Sequence, residues 1–261
     1  MNKEYELLEE FKKIAAKRWI EGVNNSTGSI GMTFERALGK KPDKFYFPDY
    51  YGTELKCTSR FSGYPYTLFS CSFDGPTYPE IYRIVNKFGE KDKLFPDKKV
   101  LYTRLKFNSL NLVNDKYYFK LDINEEEDKI FLKVYDLNND LIDDKSFVYI
   151  STVKNHLMLK LKKLAIVHAS KKQCNNKYYF RYYKIGIYNI KEFAIFLEML
   201  KKDLINVQLV SRTNKSGKKI GEYANKNLVF SIDKNKLEIL FDKIIEYNYD
   251  SESRNNFFIM P

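Results

Sequence analysis

The sequence has little of what disulfide frameworks, histidine metal centres and membrane anchors require. Its 261 residues include three cysteines and two histidines. Cys57, Cys71 and Cys174 stand at unrelated spacings, so neither a disulfide framework nor a zinc site is expected. No apolar run approaches the roughly 18 residues of a membrane span, and MNKEYELLEEFKK at the start lacks a signal-peptide core. We therefore expect a reducing cytoplasm and no membrane partner.

Basic residues, in contrast, are abundant. Lys and Arg number 45 against 34 Asp and Glu, which gives a formal net charge of +11. Such a surplus favours polyanionic partners, nucleic acid above all. The richness in Lys, Asn, Ile and Tyr is also typical of coding from an AT-rich genome, which explains part of the charge without any function. Charge alone leaves open a nucleic-acid-binding protein and a basic structural protein.

Helical and strand patterns alternate along the chain. This mixture predicts the α/β class and one domain over 1–261, with a possible inserted β lobe at 99–151. The strands at 53–59 and 67–73 are expected to form a hairpin. Apolar periodicity predicts helices over 3–21, 32–38, 152–162, 190–203 and 234–247, and strands over 53–59, 67–73, 99–106, 116–122, 129–136, 146–151, 164–170, 177–188, 205–212 and 227–232.

One segment, PDYYGTELK, carries two acids and a lysine in an order suited to a metal ion. In a strand, Glu54 and Lys56 point to the same side, about 7 Å apart, while Leu55 points into the core. Asp49 precedes a turn that Gly52 permits, so its carboxylate can return beside Glu54. Two convergent carboxylates, with the Leu55 carbonyl as a further ligand, suit Mg²⁺. Lys56 can then orient the attacking water or stabilise a charged transition state.

The spacing by itself is a weak signal because the chain contains it twice. Asp122, Glu127 and Lys129 repeat the same intervals. In that copy Asp128 replaces the apolar middle residue, within the charged and turn-like run NEEED. A solvated strand edge with an ion pair is therefore a competing interpretation of PDYYGTELK, and the surrounding sequence has to decide.

The surrounding sequence favours a nuclease. GSIGMTFERALGK at 28–40 precedes the segment and TLFS at 67–70 follows it. Together the three stretches resemble the MutH-like branch of the PD-(D/E)xK nucleases, most closely the MvaI/BcnI restriction endonuclease family. The resemblance is strong over 28–73, the expected catalytic core, and fainter towards Arg212. It implies a PD-(D/E)xK nuclease fold with a central mixed β-sheet flanked by helices, plus β-rich additions.

The resemblance also implies an activity. It implies a type II-like site-specific restriction endonuclease that hydrolyses phosphodiester bonds in double-stranded DNA with Mg²⁺. Asp49 and Glu54 would be the metal-binding acids, Lys56 the catalytic lysine and Glu35 the helical glutamate that supports the site. A cognate DNA methyltransferase and a monomer or homodimer are implied as well. A MutH-like mismatch-repair nicking endonuclease and a catalytically silent DNA-binding protein remain open alternatives.

The DNA contacts cannot be carried over from the family. Its His-Gly pair after the basic turn is absent here, where the chain reads GEYANKNLVF. Contacts are instead expected in the C-terminal part, 165–248, because a basic turn between strands can enter a groove and lysines can bind the phosphate backbone. The candidates in this part are Lys171, Lys172, Arg212, Lys215, Lys218 and Lys219. Arg60 is a further candidate, because it follows Lys56 by four residues and can reach a phosphate near the scissile bond.

Overall fold

A computed structural model of the protein describes residues 3–40, 48–59 and 63–250. The helices in these ranges are α1 (Lys3–Ala16), α2 (Ser29–Ala37), α3 (Glu80–Phe88), α4 (Ile150–Leu161), α5 (Phe193–Lys201) and α6 (Leu237–Leu240), with a 3-10 turn at Lys234–Lys236. The strands are β1 (Ile20–Glu21), β2 (Glu54–Ser59), β3 (Tyr66–Cys71), β4 (Glu90–Lys91), β5 (Lys99–Leu105), β6 (Asn111–Val113), β7 (Tyr117–Asn124), β8 (Lys129–Tyr135), β9 (Leu141–Tyr149), β10 (Lys163–Cys174), β11 (Lys177–Ile190), β12 (Ile205–Thr213), β13 (Tyr223–Ile232) and β14 (Phe241–Asn248).

The chain divides into two compact units. The first comprises Met1–Tyr64, Leu159–Lys191 and Glu238–Pro261, and the second comprises Pro65–Met158 and Glu192–Leu237. The single domain over 1–261 stays a prediction.

A five-stranded mixed sheet forms the centre of the first unit. β2 runs parallel to β10, β10 is antiparallel to β11, and β1 and β14 both pair with β11. β10 and β11 turn through Asn175 and Asn176, both at positive φ, as a two-residue hairpin requires. β2 is thus one edge of the described sheet, with its residues 54–59 beside 164–169 of β10.

Helices α1 and α2 cover one face of this sheet. Both helices place apolar residues three and four positions apart, so each presents a stripe to the strands. Burying one such side chain contributes about 1.5–3 kcal/mol. The resulting core contains Leu7, Leu8, Phe11, Ile14, Ala15 and Phe34 from the helices and Leu55, Ala165, Val167, Ala169, Phe180, Tyr182, Ile185 and Ile187 from the strands.

Two antiparallel sheets build the second unit. The five-stranded sheet has the order β3-β13-β12-β5-β4, and the four-stranded sheet has the order β6-β7-β8-β9. Phe69 and Phe230 stack on the first with ring centroids 4.7 Å apart, and Phe196 of α5 packs against both. Phe88 of α3 makes an edge contact with Phe119 of β7 at 5.7 Å.

Charged side chains buried in the second unit are well paired. The Asp143 carboxylate accepts hydrogen bonds from both terminal nitrogens of Arg83, at 2.5 and 2.8 Å, and from Lys87 at 2.8 Å. Arg83 also binds Glu80 at 2.6 Å, and Glu80 accepts a further bond from Ser146. Burial by itself would raise the pKa of Asp143, but its bonds to Arg83 and Lys87 outweigh burial and hold that pKa below its usual range.

Most of the predicted helices and strands are confirmed, with three corrections. The first predicted helix ends at Ala16 rather than at 21. Arg18 has a positive φ of 58°, and Ile20 then pairs with Phe180 in the sheet. The predicted hairpin of 53–59 with 67–73 is wrong, because β2 pairs with β10 and β3 pairs with β13 in a different sheet.

The predicted final helix over 234–247 is also wrong beyond Leu240. Leu237, Leu240, Phe241 and Ile244 repeat at helical intervals, yet 241–248 is strand β14, paired along β11. Ile245 and Tyr247, two residues apart, both pack against the core of the first unit. Strand pairing and burial thus override a local helical pattern.

Candidate active site

A tight turn brings Asp49 next to the start of β2. Tyr50 and Thr53 exchange two backbone hydrogen bonds, of 2.9 and 2.8 Å. The two residues between them, Tyr51 and Gly52, have φ of 44° and 86°, the signs found in two-residue hairpin turns. The reversal lets Asp49 Oδ2 accept a hydrogen bond of 3.0 Å from the Leu55 backbone N–H.

That hydrogen bond also fixes the direction of the Leu55 backbone. The N–H and C=O of a strand residue point to the same side of the strand. Because the Leu55 N–H is directed to Asp49, the Leu55 carbonyl is directed to this side as well, away from β10. The Leu55 side chain is part of the core under α1 and α2, as the alternation of the strand predicts.

Glu54 is a buried carboxylate with one satisfied and one unsatisfied oxygen. Its side chain is 4% exposed, and its Oε1 accepts a hydrogen bond of 2.7 Å from Lys56 Nζ. Lys160 Nζ lies 3.5 Å from the same oxygen. Oε2 is buried and has no hydrogen-bond partner among the described residues. A buried oxygen of this kind is costly unless an ion or water satisfies it.

Lysines balance the acids of the site. Lys40 Nζ lies 3.0 Å from Asp49 Oδ1, and both side chains are largely buried. Lys56 and Lys160 do the same for Glu54. Neither Lys40 nor Lys160 was predicted as a site residue. Lys40 stands in the GSIGMTFERALGK stretch, but Lys160 reaches Glu54 only through the pairing of β10 with β2, which no local pattern reveals.

Glu35 lies on α2, which packs against β2. Burial raises the pKa of the Cys57 thiol, and the negative charges of Glu35 and Asp49 raise it further. Cys57 is three residues from Glu54 on β2 and packs, like Leu55, against the core.

The two adjacent lysines of β10 lie on opposite faces of the sheet. Lys56 is paired with Ile166, and Lys172, six residues further along β10, is on the same face as Ile166 by strand alternation. Lys171 is on the face that α1 and α2 cover. Both are exposed. Lys172 Nζ lies 4.4 Å from the Trp19 ring centroid and Lys171 Nζ 3.4 Å from that of Tyr178.

The basic turn between β12 and β13 presents part of its charge to solvent. Arg212, Lys218 and Lys219 are exposed. Lys215 is also exposed, and it binds both carboxylate oxygens of Asp92, at 2.6 and 2.5 Å. These bonds hold the pKa of Asp92 well below its usual range. Arg60 lies outside the described residues.

Two further features are absent from the described ranges. No group of three or more His, Cys, Asp or Glu side chains gathers there into a metal-binding cluster. The described helices include none that is long and apolar enough to cross a membrane.

Comparison with known proteins agrees with this fold. The model of the MvaI/BcnI restriction endonuclease family matches residues 8–241. The solved complex of restriction endonuclease MvaI with its cognate DNA substrate matches with a TM-score of 0.83 and 26% identity, covering 94% of this chain and 98% of that chain. MvaI in the absence of DNA matches with a TM-score of 0.57 and 24% identity over the same shares. A search of curated proteins found no match.

The fold and these matches define a site-specific restriction endonuclease of the PD-(D/E)xK type. The chain belongs to the MvaI/BcnI restriction endonuclease family, whose model covers nearly all of it. The predictions of family, fold class and DNA endonuclease activity are thereby confirmed. Enzymes of this kind generally use a divalent metal. The individual site residues stay predictions.

Proposed function

We propose that the protein hydrolyses phosphodiester bonds of double-stranded DNA at a specific sequence, with Mg²⁺ bound between Asp49 and Glu54. The observation that carries the proposal is the buried Glu54 Oε2, which has no hydrogen-bond partner among the described residues. A divalent cation would satisfy this oxygen. The neighbouring Asp49 supplies a second carboxylate, and the Leu55 carbonyl is directed to the same side of β2.

The donors present fit Mg²⁺ better than a metal that needs a protein cage. Mg²⁺ keeps several waters and binds through one or two carboxylates, together with substrate phosphates. Two acids and a carbonyl match that requirement, and no nitrogen or sulfur ligand is called for. When bound, the cation supplies charge neutralisation at the phosphate and acidifies the attacking water.

The protein side chains have separate roles in this proposal. Lys56 donates to Glu54 in the structure and lies beside the expected cation, where it orients the attacking water or stabilises charge that develops on the phosphate. Asp49 holds its own orientation through the Leu55 N–H. Glu35, on α2 packed against β2, supports the site. The products carry a 5′-phosphate and a 3′-hydroxyl.

Duplex DNA is the proposed partner. The similarity to MvaI in complex with its cognate DNA supports this, as does the net charge of +11. Lys172, Arg212, Lys218 and Lys219 are exposed cations suited to phosphate or base contacts, and we also keep Arg60, Lys171 and Lys215 as candidates.

A sequence-specific nuclease would cleave the host chromosome unless its sites were protected, so a cognate methyltransferase and a cytoplasmic location are part of the proposal.

The direct test is cleavage of a long DNA of known sequence. Plasmid or phage DNA is incubated with the protein and Mg²⁺, and the fragment ends are sequenced. The proposal expects discrete double-strand ends at one short recurring sequence, carrying 5′-phosphates, and no cleavage when EDTA removes the metal. Nicks in one strand alone, or ends scattered without a common sequence, would contradict it.

A further inference from the structure

Lys160 is the second cation at the buried carboxylate of β2. Its Nζ lies 3.5 Å from Glu54 Oε1, and its side chain is 26% exposed. Lys56 Nζ lies 2.7 Å from the same oxygen. Two ammonium groups therefore converge on Oε1, while Oε2 has no hydrogen-bond partner among the described residues.

The sheet topology places Lys160 beside Glu54. Lys160 is in the last turn of α4, and the chain then enters β10, where Leu164 is paired with Glu54. Two more lysines follow within three residues, but they serve other purposes. Lys163 is ion-paired with Glu4 of α1, and Lys162 is exposed.

The charges around Glu54 decide which of its oxygens is open. A carboxylate can exchange its two oxygens by rotation about its last bond. The hydrogen bond from the charged Lys56 is strong and directional, and the Lys160 ammonium adds an ion-pair attraction to the same oxygen. Together the two lysines hold Oε1 in place. Oε2 is then left for another positive partner.

We propose that Lys160 is a positioning residue of the active site, which holds Glu54 Oε1 so that Oε2 is presented to the metal ion. The inference rests on the proposed role of Glu54 as a metal ligand. Groups that orient a metal ligand in this way typically change metal affinity or activity by about 10–100-fold when they are removed. Lys160 contributes through Glu54 and not through contact with the reacting atoms.

The test measures metal binding and catalysis separately. Lys160→Met keeps an unbranched side chain as far as Cε and removes the ammonium group with its charge. We expect Ca²⁺ binding to the free protein, measured by calorimetry, to weaken about tenfold or more, and the single-turnover cleavage rate in Mg²⁺ to fall by a similar factor. Lys160→Arg, which keeps a cation, should recover most of both. Lys162→Met, two residues away and exposed, is the matched control and should leave both unchanged.

The sign of the metal effect separates positioning from simple charge balance. If Lys160 only repelled the metal ion, its removal would tighten Ca²⁺ binding. Tighter or unchanged Ca²⁺ binding in folded Lys160→Met therefore overturns the inference, as does failure of Lys160→Arg to recover it. If Lys160→Met fails to fold, Lys160→Gln takes its place with the same expectations.

Glu54→Gln distinguishes failure of the role of Lys160 from failure of the proposed metal site on which that role rests. Loss of Ca²⁺ binding in Glu54→Gln together with unchanged binding in Lys160→Met would overturn the role of Lys160 alone. Unchanged binding in both variants would overturn the metal site itself, and the role of Lys160 with it.

Discussion

Two segments of this chain have the same order of acids and lysine but different surroundings. Asp49, Glu54 and Lys56 lie in the first unit, and Asp122, Glu127 and Lys129 lie in the second. The Glu54 side chain is 4% exposed and has one unsatisfied oxygen. The Glu127 side chain is 49% exposed, in the turn between β7 and β8.

The partners of the two segments differ in the same way. Asp122 is ion-paired with Lys133 across the hairpin, and Glu127 with Lys129. Lys129 also lies 4.9 Å from the Phe147 ring centroid. Exposed pairs of this type contribute little free energy and leave no open ligand position. Equal spacing in the sequence thus gives a potential metal site only where the fold buries the acid and leaves one oxygen unsatisfied.

The largest expected effect comes from Asp49. Asp49→Ala removes a proposed metal ligand, which is worth several kcal/mol of transition-state stabilisation, so cleavage should fall by roughly a thousandfold or more. Binding to duplex DNA in Ca²⁺ should remain largely intact. The matched control is Asp122→Ala, which should cleave like the wild type. Equal cleavage by the two variants would remove the distinction between the segments.

Lys56 and Lys129 should differ almost as much in their effect on the cleavage rate. Lys56→Ala is expected to lower the single-turnover rate by about 10²–10³-fold, the usual effect of losing one donor at a developing charge. Lys129→Ala loses an exposed ion pair and an aromatic contact and should cleave normally. Rapid-quench kinetics on one DNA substrate measures both. A rate for Lys56→Ala within threefold of the Lys129→Ala rate would exclude a catalytic role for Lys56.

Replacing a buried acid that is fully paired should cost more stability than replacing Glu54, although it should matter less for cleavage. Asp143 is such an acid, and its role is structural. Asp143→Asn breaks the pairing with Arg83 and Lys87 and should cost about 3–5 kcal/mol of unfolding free energy. Glu54→Gln should change it by less than about 1 kcal/mol, since it removes a buried charge whose Oε2 has no hydrogen-bond partner among the described residues. Urea denaturation of both variants measures the difference, and a larger loss in Glu54→Gln would contradict the account.

The same carboxylate gives a pH dependence. Because the pKa of Asp143 is lowered in the folded protein, its stabilisation is present above the unfolded value of about 4 and is lost as the pH falls below it. The difference in unfolding free energy between the wild type and Asp143→Asn should therefore shrink as the pH falls below about 4. A difference in unfolding free energy that stays constant from pH 7 down to pH 2 would be inconsistent with this pairing.

The smallest expected effect separates two neighbours on β10. Lys172 shares a sheet face with Lys56, whereas Lys171 is on the face of α1 and α2. Lys172→Ala should lower the slope of log affinity against log salt by about one, as the loss of one phosphate contact does. Lys171→Ala should lower it less.

Trp19 provides the readout for that comparison. It is the single tryptophan of the chain, it is 37% exposed, and it lies under Lys172. DNA binding in Ca²⁺ should therefore change its fluorescence. A signal that is unaffected by DNA, or a larger slope change in Lys171→Ala, would place the DNA elsewhere.

Local patterns in the sequence predicted the geometry of PDYYGTELK better than the sheet. The Gly52 turn, the shared strand face of Glu54 and Lys56 and the buried Leu55 follow from turn geometry and alternation, and all are present. The partner strand of β2 was missed, because β10 comes from a distant part of the chain and no local pattern encodes that pairing. Lys160 was missed for the same reason, and β14 was taken for a helix because its apolar spacing is helical until β11 pairs with it.

Glu54→Gln and Glu127→Gln, assayed side by side for cleavage of the same DNA in Mg²⁺, test the central claim most directly. Glu54 and Glu127 hold equivalent positions in the two segments, and each variant removes one negative charge with little change in shape. The account predicts that Glu54→Gln loses cleavage while staying folded and binding DNA in Ca²⁺, and that Glu127→Gln cleaves like the wild type. Full cleavage by Glu54→Gln would contradict it.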